Sequence, residues 1–470
     1  MGYRYSGHDH KKIRKVIFIE FFIILAAVLF STAIFNLVGY GQVDIVKLFN
    51  FEALICVFIL QLSILSLGLY ELKIRESKFG VFRRILMSVA ISYFIIELFL
   101  FQVSLSPLLP QYFVLTCMFV AFVFLSLFRL GLWDTELLGV SKRYVIVMGS
   151  GERASIIEKR MRRAADRRGI EIKGFVKHEG DKENQIVKET ILEFDDQKEL
   201  EKFVIENEVT EVVVAADQRR GTLPLQALFD FKLRGVEITD ILDFIERETG
   251  QVAVTLIYPS WVIYSNGFRS SNYLRVAGGY FFNFALAMFV LTLTLPFILI
   301  TTVAIFLDDG WRKGGSIFYS QERVGKNGEI FKILKFRSMK MDAEVAGAQF
   351  AQKKDSRVTR IGEFIRKYRI DELPQLLNVI KGEMSFVGPR PERPEFVTDF
   401  VKEIPYYNQR HNAKPGLTGW AQLNYPYGSS SEDTIEKLKY DLYYIKHSSI
   451  LFDLLILLRT AEVVLFGKGR

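Results

Sequence analysis

The chain has 470 residues, half of them apolar, with 41 Phe and a formal charge of +8. It is too long for one ordinary domain and too apolar for a wholly water-soluble chain, so two or three domains, part of them in a membrane, are expected. Lys and Arg cluster beside apolar segments and form no continuous stripe, which favours membrane-proximal and phosphate-binding roles and excludes nucleic acid as a partner. Only Cys56 and Cys117 occur, both inside apolar segments, which excludes a disulfide framework, a Cys-rich zinc site and thiol chemistry.

Four apolar segments near 17–37, 53–70, 85–105 and 112–132 each approach the ~20 residues that cross a bilayer. His10-Lys11-Lys12-Ile13-Arg14-Lys15 before the first imitates a signal peptide, yet no small-residue cleavage site follows and three more spans do. The link holding Lys73, Arg75, Lys78, Arg83 and Arg84 is basic, whereas 38–46 and 106–111 contain no Lys or Arg. Both ends of a four-helix transmembrane region over 1–135 are therefore expected on the cytoplasmic side.

Tyr144-Val145-Ile146-Val147-Met148 reads as a buried strand, and Gly149-Ser150-Gly151-Glu152-Arg153-Ala154 as a GxGxxA turn into a helix. With strand runs at Ile170–Val176 and Glu211–Ala215, separated by charge-rich helical sequence, 136–262 is expected to be an α/β Rossmann-like cytoplasmic domain. Where a ribose-binding acid should end the second strand stand Lys177-His178, with Glu179 only later, which favours a structural, nucleotide-free domain over NAD use.

A fifth apolar segment runs from Tyr280 to Leu307 with Pro296 inside. Its length allows a crossing, but crossing would carry the basic remainder to the far side of the membrane. A re-entrant helix broken at Pro296 is expected over 280–307. Beyond it, Ile317–Val324 and Glu329–Phe336 form a hairpin about Asn327-Gly328, Lys414-Pro415-Gly416-Leu417-Thr418-Gly419-Trp420 reads as loop, and Ile450 to Phe466 as an amphipathic helix at the interface or against the core.

The segment Arg369 to Ser385 is the richest in chemistry. Leu373, Leu376, Leu377 and Ile380 repeat at helical spacing, Pro374 is tolerable in a first turn and Gly382 stops the helix. Asp371 and Glu372 then sit at a helix N-terminus, where a cap is the ordinary role of an acid. The neighbours favour another role. Arg366 and Arg369 precede the pair, Arg390 is held between Pro389 and Pro391, and Lys335-Phe336-Arg337 lies upstream. Paired carboxylates among guanidinium forks suit metal-assisted phosphoryl transfer.

Gln321-Glu322-Arg323-Val324-Gly325, Lys335-Phe336-Arg337-Ser338-Met339, Asp371-Glu372-Leu373-Pro374-Gln375-Leu376, Gly388-Pro389-Arg390-Pro391 and the Lys414–Trp420 motif occur in an order that resembles the bacterial sugar transferases, the polyprenyl-phosphate hexose-1-phosphate transferases. The match spans about 272–470, and the front half looks like the large multidomain subclass that initiates exopolysaccharide or O-antigen synthesis. The resemblance implies an α+β monotopic catalytic domain at the bacterial inner membrane, facing the cytoplasm. It implies transfer of sugar-1-phosphate from a UDP-sugar to a polyprenyl phosphate, with Mg²⁺ as cofactor and release of UMP. It makes Asp371 the phosphorylated nucleophile, Glu372 its partner in metal or proton traffic, and Arg366, Arg390, Lys335 and Arg337 phosphate-binding groups. The metal would rest on Asp371 and Glu372. Arg410, Lys414 and Gln422 become candidates for nucleotide-sugar or loop contacts, and a homodimer is compatible with the family. Many relatives begin the membrane helix with Lys-Arg and an Asp, where this chain has Gly279-Tyr280 and Asn283. A metal-dependent phosphohydrolase and a nucleotide-sensing membrane scaffold remain the alternatives.

Overall fold

The computed structural model describes residues 7–38, 52–70, 78–103, 112–131, 143–161, 167, 169–182, 186, 190–218, 223–257, 273–310, 315–340, 343, 357–425 and 430–465. The chain forms two compact units, Tyr3–Thr249 and Gly250–Arg470.

In the first unit the apolar runs become helices α1 (Gly7–Val38), α2 (Glu52–Ser66), α3 (Lys78–Val103) and α4 (Phe113–Gly131). Within α1, α3 and α4, the stretches Arg14–Ile34, Lys78–Glu97 and Phe113–Gly131 are long and apolar enough to cross a bilayer. The expected second span is shorter than the sequence suggests. Its apolar helical stretch is only Leu54–Leu65, because the chain turns at Leu67–Tyr70 with Gly68 at φ 69°. Ile24, Leu60, Ile64, Ile85, Met118 and Leu125 fill the centre of the bundle. Buried among them, Arg129 donates Nε to Glu20 Oε1 at 2.6 Å and Nη2 to Oε2 at 2.9 Å, while its Nη1 reaches Leu69 O at 2.7 Å. A buried ion pair in apolar surroundings persists only with such full pairing.

The same unit holds five parallel strands: β1 (Arg143–Met148), β2 (Ile170–Val176), β3 (Ile191–Leu192), β4 (Glu211–Val214) and β5 (Glu237–Asp240). Their order, β3-β2-β1-β4-β5, is that of a doubly wound sheet. Val145, Ile146 and Val147 are fully buried, as a central parallel strand requires. Helices α5 (Glu152–Arg160), α6 (Gln197–Glu206), α7 (Leu225–Leu233) and α8 (Ile241–Thr249) follow β1, β3, β4 and β5.

The second unit opens with α9 (Tyr273–Ile305), helical through Pro296, which removes one backbone donor. Much of its apolar surface is exposed, including Phe281, Phe289, Leu293 and Ile300. Both halves nonetheless touch their own unit. Near the start, Tyr280 Oη donates to Ile380 O at 3.3 Å, and Phe386 N donates to Asn283 Oδ1 at 2.7 Å. Toward the end, Ile298 and Ile305 pack with Phe336 and Ile365. Tyr280 and Asn283 thus supply anchoring contacts at the helix start.

Strands β6 (Phe318–Val324) and β7 (Ile330–Phe336) form the antiparallel hairpin, with Asn327 at φ 57° and Gly328 at φ 83° in its turn. Helices α10 (Arg360–Lys367) and α11 (Leu376–Ile380) follow, then β8 (Ser385–Val387), α12 (Pro394–Glu403), β9 (Gly416–Thr418), α13 (Trp420–Asn424), α14 (Ser431–His447) and α15 (Ile450–Leu465). Lys414–Trp420 is therefore not merely loop. Its centre is β9, parallel to β8. In α15, Leu455 and Ile456 are buried against the core.

Candidate active site

The hairpin and the acid-bearing turn are fastened by one buried amide. Asn378 on α11 donates Nδ2 to Lys332 O at 2.8 Å and to Glu383 Oε2 at 2.7 Å, while its Oδ1 accepts from Leu334 N at 3.1 Å. This clamp aligns β7, and with it Lys335, beside the turn. Thr359 caps α10 through Gly362 N, and Arg369 breaks away in the left-handed conformation at φ 59°. Asp371 and Glu372 follow within a 3₁₀ turn, Ile370–Gln375, and not at the mouth of a regular α-helix. The apolar face is correspondingly altered: Leu376 and Val379 are buried, but Leu377 is 42% exposed. A 3₁₀ turn advances three residues per cycle, so the 3.6-residue stripe read from the sequence does not carry across it.

The two carboxylates have opposite surroundings. Glu372 Oε1 faces Arg390 Nη2 at 3.0 Å, Arg369 Nη1 at 3.5 Å and Lys335 Nζ at 3.9 Å. Burial pushes its carboxyl up, but the fields of Arg390, Lys335 and Arg369 prevail and hold it at about 2. Asp371 is 9% exposed, and its Oδ1 is buried without a hydrogen-bond partner among the described residues. Burial first, and the Glu372 charge second, push it up to about 6 against the pull of Lys335, Arg366 and Arg369. Burial lowers Lys335 to about 8. One carboxylate is thus locked as a counter-ion and the other is left anionic, poorly solvated and unengaged at neutral pH. Arg366 adds a buried Nη1 that also has no hydrogen-bond partner among the described residues.

Arg390 is held from below. Gly388 N donates to Thr418 O at 2.9 Å and Gly416 N to Pro389 O at 3.0 Å, so β9 lies directly against the Gly388-Pro389-Arg390-Pro391 loop. A Cβ at Gly388 would strike Lys414 O, one at Gly416 would strike Gly388 N, and one at Gly419 would strike Gly388 O. Close backbone approach is the reason for these three glycines. Arg410, 6% exposed, donates Nη2 to Arg390 O at 2.9 Å and to Asp441 Oδ2 at 2.9 Å, and Nη1 to Tyr407 Oη at 2.7 Å. Arg323 donates Nη1 to Pro391 O at 3.1 Å from the other side. Beside the acid turn, a cavity of about 410 Å³ opens against α9, lined chiefly by Phe297, Phe364, Tyr368, Ile370, Leu373 and Arg369.

A model of the bacterial sugar transferase family matches residues 276–467, the stretch that contains this whole constellation. A protein of Bacillus subtilis (strain 168), provisionally named an undecaprenyl-phosphate N-acetylgalactosaminyl 1-phosphate transferase, is 56% identical over 124 residues, 26% of this chain and 67% of that protein. The chain belongs to the bacterial sugar transferase family. Other family relatives are similar over shorter shares of their length. The Aeromonas hydrophila UDP-N-acetylgalactosamine-undecaprenyl-phosphate N-acetylgalactosaminephosphotransferase is 48% identical over 183 residues, 39% of this chain and 42% of that protein. The Xanthomonas campestris pv. campestris UDP-glucose:undecaprenyl-phosphate glucose-1-phosphate transferase is 45% identical over 157 residues, 33% of this chain and 32% of that protein. The match thus spans less than half the length of these two. A second family model, described as a CoA-binding domain, matches residues 65–227.

Within the family segment, the fold gathers Asp371, Glu372, Lys335, Arg366, Arg369 and Arg390. None of the hydrogen bonds or ion pairs that Asp371 and Glu372 make among the described residues involves Arg337, Lys414 or Gln422. Arg337 is buried beside Gly315. Lys414 lies over the Tyr280 ring at 5.6 Å, and Gln422 Nε2 is buried without a hydrogen-bond partner among the described residues. Arg410 binds protein groups beneath the loop. Asp441 and Tyr407, which hold it, lie in unremarkable sequence and carried no signal.

Proposed function

We propose that the chain transfers a hexose-1-phosphate from a UDP-sugar to a polyprenyl phosphate at the cytoplasmic face of the bacterial inner membrane, as the first membrane step of a surface polysaccharide. One juxtaposition carries this reading: a buried, unpartnered Asp371 oxygen among cations, beside an apolar cavity against an uncovered apolar helix. An Asp371 oxygen attacks the sugar-bearing phosphorus of the donor, its bond to the bridging oxygen breaks, and UMP leaves. A phosphoryl oxygen of the lipid then attacks the same phosphorus and expels the Asp371 carboxylate, giving the polyprenyl diphosphate sugar. Splitting the transfer lets a soluble donor and a lipid acceptor use the site in turn. Arg366, Arg369, Arg390 and Lys335 lie where they can bind and orient phosphate oxygens, and the cavity suits the first isoprene units of the acceptor.

The donor set fits Mg²⁺, which is commonly held by one or two carboxylates together with phosphate oxygens. Asp371 and Glu372 would hold it, and its charge would offset that of the diphosphate. The names of the relatives support both substrates, since they specify UDP-sugars and undecaprenyl phosphate. The decisive assay follows UMP from a panel of UDP-sugars with undecaprenyl phosphate. Continuous release is expected only with the lipid, and at most one UMP per chain without it. Sustained release into water alone would make the protein a phosphohydrolase.

The rate should follow a bell-shaped pH profile. Asp371 must lose its proton to attack, so kcat/KM rises with pH through about 6. Lys335 must keep its proton to neutralise phosphate, so kcat/KM falls through about 8. A profile flat from the acid to the alkaline side of this window would remove both assignments. Arg390→Lys keeps a charge but loses the planar fork, and a loss in kcat/KM of about 30-fold or more is expected with normal folding. Near-normal efficiency in that variant would reduce Arg390 to packing.

Both halves of α9 touch the same unit, which supports a helix that enters and leaves by one face, although it stays helical through Pro296. A cysteine placed at Ser316 should then react with an impermeant thiol reagent only from the cytoplasmic side of sealed vesicles. Labelling confined to the opposite side would defeat the re-entrant arrangement.

A further inference from the structure

The Gly149-Ser150-Gly151 turn joins β1 to α5 where doubly wound folds bind the diphosphate of a nucleotide, and the match to a CoA-binding family implies such a ligand. The residues present do not fit one. Asp181 Oδ2 accepts from Ser150 N at 2.7 Å and from His178 N at 3.1 Å, and its Oδ1 accepts from Asp217 N at 3.1 Å. Asp217 Oδ2 accepts from Glu152 N at 2.9 Å and Lys182 N at 3.2 Å, and its Oδ1 accepts from Arg153 N at 2.9 Å. Two carboxylates thereby take six backbone donors, including those at the start of α5 that would receive a phosphate.

The glycines tell the same story. A Cβ on Gly149, at φ 122°, would lie 2.6 Å from Ala216 N and 2.7 Å from Ala215 C. Its freedom serves packing against the end of β4. A Cβ on Gly151 would collide with Asp217 Oδ2, and Asp181 Oδ1 lies 3.1 Å away. In a nucleotide site that space is kept for the backbone to approach the pyrophosphate. Here a carboxylate already stands in it. At the end of β2, Lys177 pairs with Glu193 at 2.7 Å, so the position suited to a ribose-binding acid holds a cation.

We infer that this turn is not a nucleotide or CoA site: Asp181 and Asp217 are built-in substitutes for the diphosphate, joining the β1–α5 turn to the segments after β2 and β4. A diphosphate would have to expel two carboxylates of its own sign and forfeit six charge-assisted hydrogen bonds. The domain keeps the geometry of a nucleotide fold and uses it for internal structure.

Hydrogen exchange on the full-length protein in lipid nanodiscs, read on the peptide covering Ser150 to Arg160, tests this apart from any phosphate bound elsewhere. With the wild-type protein, CoA, NAD⁺ and inorganic pyrophosphate at about 1 mM, enough to fill a site of Kd near 100 μM, should leave the exchange of this peptide unchanged. In Asp217→Ala, the Glu152 and Arg153 amides should exchange at least about tenfold faster, and pyrophosphate should slow them again. Should Asp217→Ala also expose the β1 amides, Asp217→Asn keeps the shape, and exchange should accelerate at one or both of the same two amides. Protection of the wild-type peptide by CoA or NAD⁺ would overturn the inference, as would exchange in both variants equal to that of the wild type.

Discussion

Asp371→Asn should abolish turnover while making the protein more stable. The amide cannot attack phosphorus, so a loss of at least about 10⁴-fold and no covalent intermediate are expected. Stability moves the other way because of the proton. In the unfolded chain Asp371 titrates near the ordinary carboxylate value, whereas in the fold it titrates at about 6. The folded state binds that proton more tightly, so stability falls as pH rises between the two values, and the full penalty is present at neutral pH. Removing the charge should return up to about 3 kcal/mol, read as a rise in the apparent midpoint. The gain should shrink as pH falls from about 6 toward the ordinary carboxylate value and vanish below it, where the acid is neutral in both states. Glu372→Gln should do the reverse at neutral pH, because its carboxyl is held low by three cations that would lose their counter-ion. An Asp371→Asn protein that turns over, or that loses stability at neutral pH, would defeat this account.

Arg410→Met should cost both folding and activity, for separable reasons. Burial pushes Asp441 up to about 6 even with the Arg410 guanidinium against it, so removing the guanidinium leaves an unpaired buried acid. A loss of about 3–5 kcal/mol is expected. Adding Asp441→Leu should restore most of that stability, since a buried pair replaced by apolar groups is often nearly neutral. Activity should stay low in the double variant, because Arg390 O has still lost its donor. Thermal melts with UMP release on the two variants separate the effects. Full activity in the double variant would mean that Arg410 does nothing for the Arg390 loop.

The sequence revealed what local chemistry writes into neighbouring residues. The hairpin was legible because Asn327-Gly328 supplies two consecutive positive φ angles. The strand–turn–helix at Gly149 and the acid pair at Asp371 were legible for similar reasons. What stayed hidden depends on residues far apart in the chain. Asn378 fastens β7 across more than forty residues, and Arg129 meets Glu20 across 109. Glycines misled at Lys414–Trp420, where they permit β9 to press on another backbone and do not loosen a loop. The second apolar run reads as a span because hydropathy continues through Leu67–Tyr70, while the backbone there has already turned. Nothing in the residues around Asp181 says that it reaches back to Ser150.

Helix α9 is fastened near both ends to the unit that bears Asp371. In the proposed setting, that unit therefore carries its own mooring. An acceptor confined to a lipid leaflet searches in two dimensions, and a reactive group kept at that leaflet meets it without drawing on any other part of the chain. What precedes Gly250 is then free to diverge, to be exchanged for another module or to be dropped, with no change in the height of the reactive carboxylate above the lipid.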